Sequence, residues 1–167
     1  LYNGGQYRNT FVGAFTAYNA WNSANFNTGL GAYALLNITT GNNNVAVGDQ
    51  TLSGLTAGYQ NVGVGQGCLT ELSYGAYNTA IGQNSGGGLY TGTFNTMLGF
   101  SATVHNNSNN SVVIGAWASA ENSNELSIGS GSVPLGNVTN EVRTSTKTWT
   151  VRINGTLPVS YTHLTLP

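Results

Sequence analysis

Short apolar stretches such as Val-Ala-Val-Gly and Thr-Ala-Ile-Gly recur along this chain, most of them introduced by an asparagine and every one closed by a glycine. The closing glycines are Gly13, Gly31, Gly48, Gly65, Gly82, Gly99, Gly115 and Gly129, spaced 18, 17, 17, 17, 17, 16 and 14 residues apart. A nearly fixed period of this length marks a repeat architecture in which each unit stacks on the one before it. Immediately before the glycine stand Val12, Leu30, Val47, Val64, Ile81, Leu98, Ile114 and Ile128, aliphatic in every unit, which predicts a buried ladder of rung-core side chains. Two residues earlier stand Thr10, Thr28, Val45, Val62, Thr79, Thr96, Val112 and Leu126, nearly all β-branched and on the same face of an extended strand. The position between is mostly small, as in Gly29, Ala46, Gly63 and Ala80, and that face is expected to be closely approached or lightly covered.

Asn9, Asn27, Asn44, Asn61, Asn78 and Asn95 open the strands, where each amide can bond its neighbour in the next unit. The unvarying glycine implies a positive φ or a close backbone approach. A small residue follows it by three, an aliphatic one by seven in the middle units (Ile38, Leu55, Leu72, Leu89), and a second glycine by ten (Gly41, Gly58, Gly75, Gly92). A second short strand and a second tight turn are predicted from these. Each unit then reads strand, turn, strand, turn, with no helical periodicity. The predicted fold is all-β, a parallel β-solenoid of about eight turns of 14–18 residues over residues 1–136, forming a rod on the order of 40 Å long.

Two short strands per turn enclose little apolar volume, so such a coil needs a covering surface. Self-association around an axis is the simplest source, because identical repeats place identical ladders against each other at every level. After Gly136 the repeat stops, and residues 137–157 hold three of the four cations in a Thr-rich alternating stretch, expected to cap the open end of the coil. The last ten residues, 158–167, resemble a translated sequencing-adaptor tail and are expected to be non-native. The first residue is Leu1, and the chain reads as a fragment or processed product.

Charge narrows the function classes. Only 5% of residues are charged, against about a quarter in ordinary domains. Arg8 is the last cation before Arg143, so the long middle has no basic patch for phosphates, and nucleic acid is not expected as a partner. No apolar run approaches the roughly 20 residues of a membrane-spanning helix. With Cys68 the only cysteine, neither an intrachain disulfide nor a cysteine metal cluster is available. Neither a cofactor, a metal nor a catalytic constellation is expected, and the chain does not read as an enzyme.

The units NSVVIGAWASAENSNELSIGSGS, NTAIGQNS and NVAVGDQTL resemble the head repeats of trimeric autotransporter adhesins (the YadA-like head) and, more closely, the longer repeats of bacteriophage tail fibres. Ser111, Val112, Val113, Ile114, Gly115 and Ala118 match that pattern residue by residue, as do Asn78, Thr79, Ala80, Ile81, Gly82 and Ser85. The resemblance covers roughly residues 9 to 136. It implies a left-handed β-roll, three chains about a threefold axis, and a surface-exposed adhesive fibre on a virion or cell.

Individual residues with chemical potential each have a plainer role open to them. Cys68 shares the small-residue column with Thr51 and Ser85; His105 lies in the polar stretch HNNSNN; His163 falls in the tail. Glu121 and Glu125 flank a turn on a rod with no expected cleft, and GQNSGGG lacks the lysine of a phosphate loop. The aromatics Trp21, Tyr33, Tyr59, Tyr77, Tyr90 and Trp117 are the candidate glycan contacts, with covering of corners or interchain seams as the other role open to them. The leading expectation is an extracellular structural and adhesive fibre segment that binds host or surface glycans through repeated weak contacts. The alternatives are a subunit of a filament polymerised end to end, and an ice- or surface-binding solenoid, whose threonine column is interrupted by Val45, Val62, Val112 and Leu126.

Overall fold

The structure is a computed structural model and describes residues 8–20 and 23–129. Trp21, the expected capping segment 137–157 and the adaptor-like tail 158–167 lie outside the described residues. Ten strands run in chain order: β1 (Thr10–Val12), β2 (Thr28–Leu30), β3 (Val45–Val47), β4 (Val62–Val64), β5 (Thr79–Ile81), β6 (Thr96–Leu98), β7 (Thr103–Val104), β8 (Val112–Ile114), β9 (Ser119–Ala120) and β10 (Leu126–Ile128). Eight of them form one parallel sheet in the order β1-β2-β3-β4-β5-β6-β8-β10, so the chain is a β-solenoid of about seven turns. No helix occurs among the described residues.

The register follows the repeat. Val45 pairs with Val62 and Val47 with Val64, and Val62 in turn with Thr79. Each turn hangs on its neighbours through the backbone: the Val45 N–H donates to Asn61 O at 2.8 Å and the Gly48 N–H to Leu30 O at 2.8 Å. The closing glycine is required sterically. At Gly48, with φ 130°, a side-chain Cβ would lie 2.7 Å from the Gly65 carbonyl carbon of the next turn.

The asparagines form the ladder their spacing predicts. Asn27, Asn44, Asn61, Asn78 and Asn95 are fully buried. The Asn61 amide donates to Gly75 O at 2.8 Å and to Asn44 Oδ1 at 3.0 Å, while its own Oδ1 accepts from the Asn78 N–H and side-chain amide. At the seventh rung Ser111 takes over: its N–H donates to Asn95 Oδ1 and its hydroxyl to Asn122 O. Among the described residues no buried side-chain nitrogen or oxygen lacks a partner, which is what allows polar groups to occupy an interior at all.

The inward asparagine sets the parity of the strand that follows it, and this corrects the expected core. Side chains alternate, so with Asn61 inward, Val62 points out, Gly63 in and Val64 out. The aliphatic column expected as the rung core, Val12, Leu30, Val47, Val64, Ile81, Leu98, Ile114 and Ile128, therefore lies on the outer face. Val12 is 56% exposed and Ile128 59%, while Val47, Val64 and Leu98 are half-buried. The column between the Thr/Val and aliphatic ones, small in most turns, is the buried one: Ala46, Ala80, Met97 and Val113 are fully enclosed.

Volume explains the choice. Leu35, Leu52 and Leu69, four residues after the glycine, and Ile38, Leu55, Leu72 and Leu89, three further on, already fill the interior. Only small side chains fit opposite them. Sizes are matched rung by rung: a Cβ at Gly63 would lie 2.7 Å from the Thr51 methyl, and one at Gly29 2.8 Å from that of Thr16. Where the threonine becomes Cys68 or Ser85, the facing position becomes Ala80 or Met97, the Cys68 thiol donating to Ala80 O at 3.2 Å and the Ser85 hydroxyl to Met97 O at 3.2 Å. Met97 also covers the gap at Gly86, which stands where earlier turns carry leucine; a Cβ there would lie 3.2 Å from Met97 Sδ.

The second strand is largely a second correction. In the described middle turns it is absent, and the single-residue bridges there, Asn25 to Asn42, Asn42 to Tyr59, Tyr59 to Ala76 and Ala76 to Thr93, lie beyond the second turn, just before the strands of the main sheet. The aliphatic stretch expected to form it turns instead, with Leu35, Leu52 and Leu69 at φ 53°, 53° and 52°. Left-handed conformations are uncommon for such residues and persist when surrounding bonds over-determine them; here the Leu52 N–H donates to Cys68 O at 2.9 Å and the Leu69 N–H to Ser85 O at 2.9 Å. A true second sheet appears only as the period shortens, where β7 pairs with β9.

Candidate interaction surface

The outer face of the eight-stranded sheet is a regular surface that runs the length of the described solenoid. Two columns cross it, the Thr/Val column from Thr10 to Leu126 and the aliphatic column from Val12 to Ile128, and neither contains a charged side chain. Both corners beside the sheet hold residues with positive φ, among them Phe26, Tyr77 and Phe94 on the near side and Phe15, Tyr33 and Trp117 on the far side. A left-handed corner projects its side chain beside the sheet, so the aromatics rim the apolar face.

Ring geometry sorts the candidate glycan contacts. Tyr77 and Phe94 are stacked with centroids 4.6 Å apart and planes 5° from parallel, and Tyr59 meets Tyr77 in a T-shaped contact at 5.3 Å. Tyr33 stacks on Phe15 at 5.2 Å, and Trp117 meets Phe100 at 5.0 Å, T-shaped. In the stacked pairs Tyr33 with Phe15 and Tyr77 with Phe94, each ring has one face against its neighbour. Tyr90, 49% exposed, has no ring partner among the described residues, and Tyr74 on the adjacent turn is likewise exposed and unstacked. At the first turn the Arg8 guanidinium lies 5.4 Å from the Phe26 ring centroid, a cation–π contact.

The remaining candidates have structural surroundings. Cys68 is fully buried, and burial pushes its thiol up to about 12, which suppresses the nucleophilic thiolate. Glu125 accepts from the Glu121 and Asn122 N–H groups at 3.0 and 3.1 Å, so its carboxylate holds a turn, and the Ser119 hydroxyl donates to Glu121 Oε1. His105 is exposed, and its backbone N–H donates to Ala120 O. In GQNSGGG, Gln83 donates to Gln66 Oε1 and the Gly86 N–H to Ala102 O, an interturn corner. Among the described residues no group of three or more His, Cys, Asp or Glu is placed to hold a metal ion.

One signal in the sequence bears on the outward face. A strand that begins on an inward asparagine must turn its next and third side chains outward, so the asparagine column implies the parity the structure has. No protein-family model, curated protein or solved structure matches this chain.

Proposed function

We propose that the chain is the shaft segment of an extracellular adhesive fibre on a virion or cell surface, with three copies wound as left-handed β-rolls about a common axis. The observation that carries this reading is the rod itself. Its turns repeat at one spacing along a sheet whose outer face is apolar, uncharged and rimmed by aromatic side chains. A surface of that kind suits lengthwise association and repeated presentation better than a single recessed reaction centre.

Attachment to host or surface glycans follows from repetition, since many equivalent weak contacts multiply into avidity. Tyr90 and Tyr74 suit such contacts best, because their ring faces are not taken up by neighbouring rings. The resemblance of the repeats to adhesin heads and phage tail fibres supports the threefold arrangement and the handedness. Negative-stain microscopy with a glycan-array screen tests the proposal. Short trimeric rods that bind a glycan class, with binding lost in Tyr74→Ala/Tyr90→Ala, are expected. A monodisperse monomer would refute the fibre, and long filaments would replace it with end-to-end polymerisation.

A further inference from the structure

The fibre reading leaves open which face joins the copies, and the parity of the sheet answers that. We infer that the outer face of the eight-stranded sheet, the Thr/Val and aliphatic columns together, is the seam against a second copy of this chain. The inference rests on the fibre proposal and adds the residues of its interface.

Size is the first argument. Eight strands at about 4.8 Å spacing span ~35 Å, and three-residue strands with their two corners are ~20 Å wide, giving ~700 Å² per copy. The largest apolar patch on an ordinary monomer covers about 300–600 Å². Three such faces meeting about a common axis bury ~2,100 Å² in all, within the range of permanent assemblies, about 2,000–5,000 Å².

Composition is the second. The centre of the face carries only Thr, Val, Leu and Ile, so a copy meeting itself brings no like charges together. The rim mixes aromatic rings with Asn43, Gln50, Gln60 and Asn84, matching the pattern of an apolar interface core within a polar, hydrogen-bonding margin.

Period is the third, and it selects the occupant. Rows of side chains repeating once per rung interdigitate only with rows of the same spacing. A second copy supplies that spacing at all eight strands, and with copies side by side each rung faces its equivalent. The interior has no further apolar demand, since Leu52, Leu55 and Ala46 are already enclosed. The outer columns are thus not an unfinished core within one chain.

The test uses sedimentation velocity up to about 100 µM, the regime in which mass action reveals weak assembly, with circular dichroism to confirm the fold. The double variant Leu30→Lys/Ile81→Lys places two charges on the seam at positions 48% and 45% exposed, where lysine extends into solvent in a lone chain. The native chain is expected to associate. The double variant should remain folded and weaken association by roughly 100-fold or more, as truncation of central contacts does, while Tyr90→Lys on another corner leaves it unchanged. A second measurement does not depend on tolerating charge: Ile81→Cys in a Cys68→Ala background should cross-link between copies on mild oxidation, and Tyr90→Cys in the same background should not. If the lysine variant assembles like the native chain, or cross-linking follows Tyr90→Cys alone, another face forms the seam and the fibre reading survives. If the native chain stays monomeric throughout, both fall.

Discussion

Replacing Asn61 by alanine should cost more stability than any surface change on this rod. Asn61 sits mid-ladder, fully buried, and its side chain takes part in four hydrogen bonds. Two of the affected groups keep another partner: Asn44 Oδ1 still accepts from the Asn61 N–H at 3.0 Å, and the Asn78 amide still reaches Gly92 O at 2.8 Å. The Asn78 backbone N–H loses the one hydrogen bond it makes among the described residues, while the Gly75 carbonyl loses its bond to the Asn61 amide but stays within the Tyr59–Ala76 bridge. A buried polar group left unpaired costs about 1–3 kcal/mol and a lost hydrogen bond about 0.5–1.5 kcal/mol, so the two together cost about 1.5–4.5 kcal/mol before any loss of packing. Against a total of about 5–15 kcal/mol for a typical domain, that is enough to unfold a marginal chain. Asn19→Ala is the matched control, since its amide donates to Asn37 Oδ1 on the exposed surface, where a loss within about 0.5 kcal/mol is expected. Urea unfolding followed by circular dichroism measures both. If Asn61→Ala fell within about 0.5 kcal/mol of the native chain, the buried ladder would not be a source of its stability and the reasoning would fail.

Other consequences are equally open to measurement. Gly63→Ala should cost about 1–3 kcal/mol by overpacking against the Thr51 methyl, and Thr51→Ser, which keeps the hydroxyl bonded to Gly65 O at 2.6 Å, should recover most of that in a double-mutant cycle; additive losses would contradict the rung-by-rung size matching. Met97→Ala should cost about 2–5 kcal/mol in thermal unfolding, because Gly86 has no side chain with which to close the void. Cys68 has a folded pKa raised from 9.0 to about 12 by burial; the folded state therefore holds its proton more tightly than the unfolded one. The contribution is fully present below pH 9.0 and is lost as pH rises toward about 12, so a Cys68→Ala variant should show a flatter stability profile over that window; an unchanged slope would count against it. Thiol labelling at neutral pH should be negligible until denaturant is added. Thermal hysteresis at high protein concentration would indicate that the outward Thr and aliphatic columns meet ice rather than a second copy, and none is expected.

The candidate interaction surface was legible in part. Its residues stand out in the alignment as two aliphatic or β-branched columns, and Tyr33, Tyr77 and Trp117 recur beside them. Their orientation was not legible from hydrophobicity, which on its own assigns Val64 and Ile81 to the interior. Which rings are stacked and which stand alone depends on corner geometry: Tyr77 meets Phe94 because both occupy the same left-handed position one turn apart.

The stacking of the units is already written in the repeat. A period near seventeen, with Asn and Gly at constant offsets, admits one way of laying unit on unit, because each asparagine amide must reach the next turn and each glycine must clear the carbonyl above it. Which side of each strand is inside was decided by packing in three dimensions, and the asparagine column signals it only once the asparagines are known to point inward. Leu52 and Leu55 reach the interior from a turn rather than a strand, their volume excludes Val62 and Val64 from it, and only Gly63 is small enough to face them. That competition for space is set by residues ten or so positions apart in sequence but adjacent in the coil, and it makes the hydrophobic columns a surface rather than a core.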